Sequence, residues 1–176
     1  MVIAIFVDMQ NDFIHGVLGT PEAQAIVSYV MEQSHNKKFD VAIFTQDWHD
    51  AQFHKNTIED QRIPAHTIAN SFGADIIEGL IPRGEMTWVA YQKHSFGFYS
   101  LPDALMDEAC GYGEDITEIH LMGVCTDICV ISNALLLRSA FPSVRIIVHS
   151  KGCAGTTPEN HEAALKVMRS CLIDVI

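Results

Sequence analysis

Six short apolar runs, at residues 2–7, 41–45, 87–91, 118–122, 144–149 and 172–176, punctuate the chain, and most are rich in β-branched or aromatic side chains. Between them lie helical signals. Thr20-Pro21-Glu22-Ala23 offers a cap residue, a proline at the first helical position and an acid in the first turn, followed by apolar positions at Ala25, Tyr29 and Val30. Ser100-Leu101-Pro102 opens a second helix, residues 129–140 form a third, and Thr157-Pro158-Glu159 starts a last one before the closing run. Strands alternating with helices predict a three-layer α/β/α, Rossmann-like fold, with a mostly parallel six-stranded sheet and helices on both faces. Residues 48–72 break the pattern. They are polar, rich in histidine and follow neither period, and so long a connection inside a compact domain marks a functional or mobile segment.

Composition narrows the field. With 176 residues and 48% hydrophobic content, the chain suits a single domain, residues 1–176, with a core of its own. Its formal charge of −11 and only 11 Lys and Arg argue against nucleic acid or an anionic membrane as partner, because both require clustered cations. A small neutral or cationic molecule fits better, and an acidic surface leaves room for a homo-oligomer. The opening run lacks a basic flank and passes straight into Asp8, so it is expected to be a strand rather than a leader, and no later run reaches membrane-spanning length. Five cysteines without regular spacing argue against a disulfide framework and place the expected home in a reducing cytoplasm.

The chemistry gathers at one edge. Asp8, Asp47, Lys93 and the stretch from Cys125 to Cys129 each follow a predicted strand, and in an open parallel sheet ligands bind beyond the carboxyl ends of the strands. Cys129 opens a predicted helix, where partial positive charge and unpaired N–H groups favour a thiolate. Taken singly, Cys129 reads as well as a core residue, Asp8 as a turn cap and Lys93 as a solvated strand end. Together they supply what nucleophilic catalysis by a thiol requires, a base for its proton and a cation for its charge. In the loop, Asp47-Trp48-His49 sets two donors at alternate positions, and His54, Glu59 and His66 follow. Two imidazoles with one or two carboxylates suit Zn²⁺, and also Fe²⁺ or Mn²⁺, although nine histidines in one chain cluster partly by chance. Cys110 is expected at a helix end before Gly111, Cys171 at the start of the last strand, and residues 151–155 in a glycine-flanked turn, while Asp127 caps or orients the turn beside Cys129.

Three motifs in order, Val7-Asp8-Met9-Gln10-Asn11-Asp12-Phe13, the strand-end Lys93 and Gly123-Val124-Cys125-Thr126-Asp127-Ile128-Cys129-Val130, resemble the isochorismatase-like cysteine hydrolases and, within them, the nicotinamidases. The similarity runs over nearly the whole chain and includes Thr157-Pro158-Glu159-Asn160-His161. The resemblance implies Asp8, Lys93 and Cys129 as catalytic residues, and a cis peptide between Val124 and Cys125. It implies an oxyanion site made by the backbone N–H groups of Cys125 and Cys129. It also implies one divalent ion, zinc first with iron or manganese as alternatives, on Asp47, His49, Glu59 and His66, with His54 as an alternate ligand. Phe13 and Tyr99 are the implied substrate-binding aromatics. Ile63 and the stretch Asn70-Ser71-Phe72 depart from the family pattern and, on that reading, touch the rim of the ligand site. The implied reaction is hydrolysis of nicotinamide or a related small amide to the acid and ammonia through a Cys129 thioester. Two alternatives stand beside it: a metal-independent isochorismatase-type or carbamoyl hydrolase, and a non-enzymatic redox or metal-binding module built on Cys125 and Cys129.

Overall fold

A computed structural model describes residues 1–50, 57–59, 61–82, 84 and 86–176. In chain order the elements are β1 (Val2–Val7), α1 (Asn11–Ile14), α2 (Pro21–Ala25), α3 (Val27–Ser34), β2 (Val41–Asp47), β3 (Thr87–Lys93), α4 (Leu101–Tyr112), β4 (Glu118–Val124), α5 (Ile131–Ala140), β5 (Arg145–Ala154), α6 (Pro158–Ser170) and β6 (Asp174–Val175). The strands make one six-stranded sheet in the order β3-β2-β1-β4-β5-β6. Every pairing is parallel, so the mostly parallel sheet expected from sequence is parallel throughout.

The order explains the layers. The chain winds outward from β1 to β3, then returns to place β4 on the other side of β1 and winds outward again. Right-handed crossovers that reverse direction put α3 on one face and α4, α5 and α6 on the other. Strands covered on both faces carry unbroken apolar runs, and in β1 every residue from Ile3 to Val7 is fully buried. Edge strand β3 is covered less completely, with Trp88 43% exposed. No helix among the described residues is long and apolar enough to cross a membrane.

The helix signals work as their chemistry requires. Thr20 and Thr157 each accept a hydrogen bond from the backbone N–H three residues on, with proline next in line. Helix α4 runs past Cys110 and Gly111 to Tyr112 and stops at Gly113, whose φ of +66° is the left-handed cap conformation that glycine adopts without penalty.

Three expectations are corrected. Residues 151–154 are not a turn but the end of β5, where Gly123 and Val124 of β4 pair with Cys153 and Ala154 after a break in register. Gly152 lies at that break, and a Cβ there would press on the Met122 and Tyr29 side chains at about 3.0–3.1 Å. Cys171 caps α6, and β6 starts only at Asp174, because Leu172 takes a left-handed turn (φ +61°) to bring the chain back to the sheet. The helix after β4 begins before Cys129: Thr126–Val130 form one π turn that leads into α5.

Candidate active site

Asp8 sits where β1 ends, in a left-handed conformation (φ +50°) that few non-glycine residues adopt. Thr45 on β2 holds it there. The backbone N–H of Asp8 donates to the Thr45 carbonyl (3.1 Å), and the Thr45 hydroxyl donates to Asp8 Oδ1 (2.7 Å). On the other side Gly123 lets β4 approach: a Cβ there would stand 2.1 Å from the Val7 carbonyl oxygen. Beyond Gly123, the Val124–Cys125 peptide is cis. The Cys125 carbonyl then accepts the N–H groups of Ile128 and Val130 (3.1 and 3.0 Å), on either side of Cys129.

The three sequence-predicted groups meet. Lys93 Nζ lies 2.8 Å from Asp8 Oδ2, 3.3 Å from Asp47 Oδ1 and 3.7 Å from Cys129 Sγ. All are shielded, with Asp8 fully buried and Lys93 only 2% exposed, so Lys93 is not a solvated strand-end lysine. Burial by itself would lower the Lys93 pKa, but the facing carboxylates of Asp8 and Asp47 raise it, which fixes an ammonium. Burial raises Asp8 against the opposing pull of Lys93. Burial also pushes the Cys129 thiol well above its ordinary value, with Lys93 pulling the other way. The helix-start argument for a standing thiolate therefore loses to desolvation. The resting thiol is protonated.

A second cluster adjoins the first through Asp47. One oxygen of its carboxylate faces Lys93, while the other lies 2.8 Å from His49 Nε2 and 3.1 Å from His66 Nε2 and accepts the Thr67 hydroxyl at 3.2 Å. Glu59 Oε1 stands 3.6 Å from His66 Nε2 and 3.9 Å from His49 Nε2. The four residues Asp47, His49, Glu59 and His66 each offer a donor atom, all within 4.8 Å of one another. His66 Nδ1 donates to the Pro64 carbonyl at 2.8 Å, which leaves Nε2 as the ligating nitrogen. Burial would raise Asp47, but hydrogen bonds from His49 and His66 and the charge of Lys93 hold it well below the usual carboxylate range. Two imidazoles and two carboxylates in this array fit a divalent cation. His54, the alternate ligand, lies outside the described residues.

Both clusters line one cavity of about 240 Å³, Asp47, Glu59 and His66 from the donor cluster and Cys125 and Cys129 from the nucleophile turn. Its walls are mainly apolar: Phe13, Leu18, Ile63, Phe96 and Ile128. Phe13 is where sequence placed it, with its ring edge to His66 at 5.5 Å between centroids. Tyr99 is not there. It is 85% exposed, and Phe96, three residues after Lys93, supplies the aromatic wall instead. Of the two departures from the family pattern, Ile63 lines the cavity, whereas Asn70-Ser71-Phe72 stands apart from it. Ser71 caps the turn Phe72–Ala74, and Phe72 is 79% exposed. Asp127 orients rather than caps: its carboxylate accepts both the backbone N–H and the hydroxyl of Thr156, a residue at the cavity mouth.

A buried carboxylate, ammonium and thiol at the carboxyl edge of a parallel sheet are the arrangement of a cysteine hydrolase of α/β type. The family model for the isochorismatase domain matches residues 2–176, and the chain belongs to that family. Its relatives include a nicotinamidase of Schizosaccharomyces pombe, 27% identical over 98% of this chain and 91% of the relative. Among solved structures, a nicotinamidase of Bacillus subtilis superposes with a TM-score of 0.83 at 26% identity, covering 99% of this chain and 98% of that one. A pyrazinamidase of Pyrococcus horikoshii, solved in complex with zinc, gives a TM-score of 0.80 at 25% identity over 99% and 98% of the two chains.

Proposed function

We propose that this chain is a nicotinamidase-like amidohydrolase that converts nicotinamide, or a related small aromatic amide, to the acid and ammonia. The observation that carries the reading is the one cavity lined both by Cys129 and by Asp47, Glu59 and His66 of the donor cluster. Its volume is below the usual range of drug-sized pockets, ~300–1,000 Å³, and suits a single ring.

The chemistry follows from the charges. Asp8 takes the thiol proton as Sγ of Cys129 bonds to the amide carbon, and the N–H groups of Cys125 and Cys129 hold the oxyanion. Asp8 returns that proton to the leaving nitrogen, the C–N bond breaks, and ammonia departs to leave a thioester. Water gives a proton to Asp8 and attacks the thioester. The C–S bond then breaks, the acid leaves, and the thiol is restored. Lys93 stays charged throughout and offsets the negative charge that moves between Asp8 and Sγ. Asp47, His49, Glu59 and His66 would hold a divalent ion, zinc first and iron or manganese as alternatives, which when bound supplies a Lewis-acidic anchor for a ring nitrogen. The donor cluster tells against the metal-independent alternative. The redox alternative leaves Asp8 and Lys93 without a role. The five free cysteines also support a cytoplasmic location.

Ammonia release from nicotinamide by the zinc-loaded protein tests the proposal. Turnover is expected, Cys129→Ala should abolish it, and Cys125→Ala should lower it by about tenfold or less, because only the Cys125 backbone takes part. A Cys129→Ala variant of undiminished activity would overturn the mechanism.

A further inference from the structure

Thr67 follows a candidate metal ligand and adopts φ +43°, a left-handed conformation that is a genuine outlier for a β-branched residue. Such a conformation persists only where the surroundings over-determine it. Three contacts do so. The Thr67 carbonyl accepts the His49 N–H at 3.1 Å, its hydroxyl donates to Asp47 Oδ2 at 3.2 Å, and its N–H donates to Asp12 Oδ2 at 2.7 Å. The first two contacts reach residues that are themselves in the donor cluster. Asp12 is the outside support, planted on α1 next to the cavity residue Phe13.

The Asp12 carboxylate is packed against two glycines. A Cβ on Gly73 would lie 2.2 Å from its Oδ2, and one on Gly16 would lie 2.4 Å from its Oδ1, so two glycines form the walls of its slot. We propose that Asp12 is a positioning residue of the metal centre: by holding the Thr67 N–H it keeps His66 facing Asp47 and Glu59 at ligating separation before a cation arrives. The inference rests on the reading of Asp47, His49, Glu59 and His66 as a divalent-cation site. Asp12 touches none of the donor atoms and acts through the backbone of the neighbouring residue. Preorganisation of this kind lowers the cost of ordering ligands on binding.

The test is cation affinity, read on the purified full chain after metal removal, by Co²⁺ absorption and by zinc competition against a chelator. Wild-type protein is expected to take up one ion. Asp12→Ala should bind about 10–100-fold more weakly, the range for lost supporting partners of metal ligands. Asp12→Asn keeps an oxygen acceptor for the Thr67 N–H and should stay within about threefold of wild type. Gly73→Ala leaves the carboxylate in the chain but drives it from its slot, so it should reproduce the Asp12→Ala loss, and the double variant should be no weaker than either single one. Far-UV circular dichroism checks folding, and if Asp12→Ala does not fold, Gly73→Ala carries the decision. Unchanged affinity in a folded Asp12→Ala, or in Gly73→Ala, would overturn the inference while leaving the metal site intact. Equal losses in Asp12→Asn and Asp12→Ala would overturn it too, since charge rather than the backbone contact would then be at work. A wild-type protein that binds neither ion would remove the metal reading and this inference with it.

Discussion

Lys93 joins the nucleophile cluster to the donor cluster. Its ammonium is buried between the carboxylates of Asp8 and Asp47 and beside the Cys129 sulfur. Removing it leaves two buried carboxylates facing each other, and breaking a buried ion pair from one side costs about 3–5 kcal/mol. Lys93→Met should therefore lose stability of that order in urea unfolding as well as turnover. Asp8→Asn should differ in kind. It removes the base, so kcat should fall by about 10²–10⁴, the usual contribution of a positioned base. Because Lys93 keeps Asp47 as a partner, that variant should unfold at a urea concentration much closer to wild type than Lys93→Met does. The same residues show what sequence could and could not reveal. Asp8, Lys93 and Cys129 were legible because each follows an apolar run whose end can be read along the chain. Thr45, which fixes Asp8, was not, because a threonine inside a strand reads as β-propensity until its neighbour across the sheet is known.

At the scale of elements, the cavity depends on α5 as much as on the strands. Asn133, fully buried on that helix, donates through Nδ2 to the Cys129 carbonyl at 2.8 Å, and its Oδ1 accepts the Phe98 N–H at 2.8 Å. One side chain thus ties the π turn of the nucleophile to the segment after β3 that carries Phe96. Asn133→Leu leaves both backbone groups without that partner, a loss of about 1–3 kcal/mol. It should raise KM for the amide by about tenfold, with kcat falling less if the wall moves more than the nucleophile. A kcat loss exceeding the KM rise would place its main effect on Cys129. Helix starts at Thr20, Ser100 and Thr157 were legible from local chemistry alone, since caps and prolines act within one turn. The register break near the end of β5 and the exchange of Phe96 for Tyr99 were not, because both depend on which side of a strand or loop meets a distant partner. The four donors, Asp47, His49, Glu59 and His66, came from family resemblance more than from spacing. Residues 47, 49, 59 and 66 share no period, and the sheet edge brings them together.

The whole molecule carries a second buried polar chain, remote from the cavity, that links three elements. Glu118, held ionised below its ordinary range by His120 and Arg145, can only accept, so His120 Nε2–H donates to it at 3.1 Å. His120 Nδ1 must then accept from His149 Nε2–H at 2.8 Å, and His149 Nδ1 accepts the Tyr29 hydroxyl at 2.8 Å. This direction of donation holds with both rings neutral, the form that burial favours by lowering both histidines. Burial, the neighbouring His120 and Lys38 bring the His149 pKa down from 6.5 to about 4. A histidine whose folded value lies below its unfolded one contributes stability that is complete above about pH 6.5 and is lost as the pH falls toward 4, up to about 3 kcal/mol for such a difference. Urea unfolding between pH 7 and 4 should show this loss, and His149→Gln should flatten the slope relative to wild type. An unchanged slope would remove the chain from the stability balance.

The strand order has a consequence for synthesis. Strand β1 pairs with β2 some forty residues on, but its other neighbour is β4, with Val2 opposite Glu118. While the chain is being made, β1 and β2 can meet early, yet the inner edge of β1 stays open until some seventy further residues have brought out β4. An apolar strand with an open edge is a template for pairing with another chain. The first third of this protein is thus the part most in need of shelter at the ribosome, and it is covered only when the strand leading to Cys129 arrives.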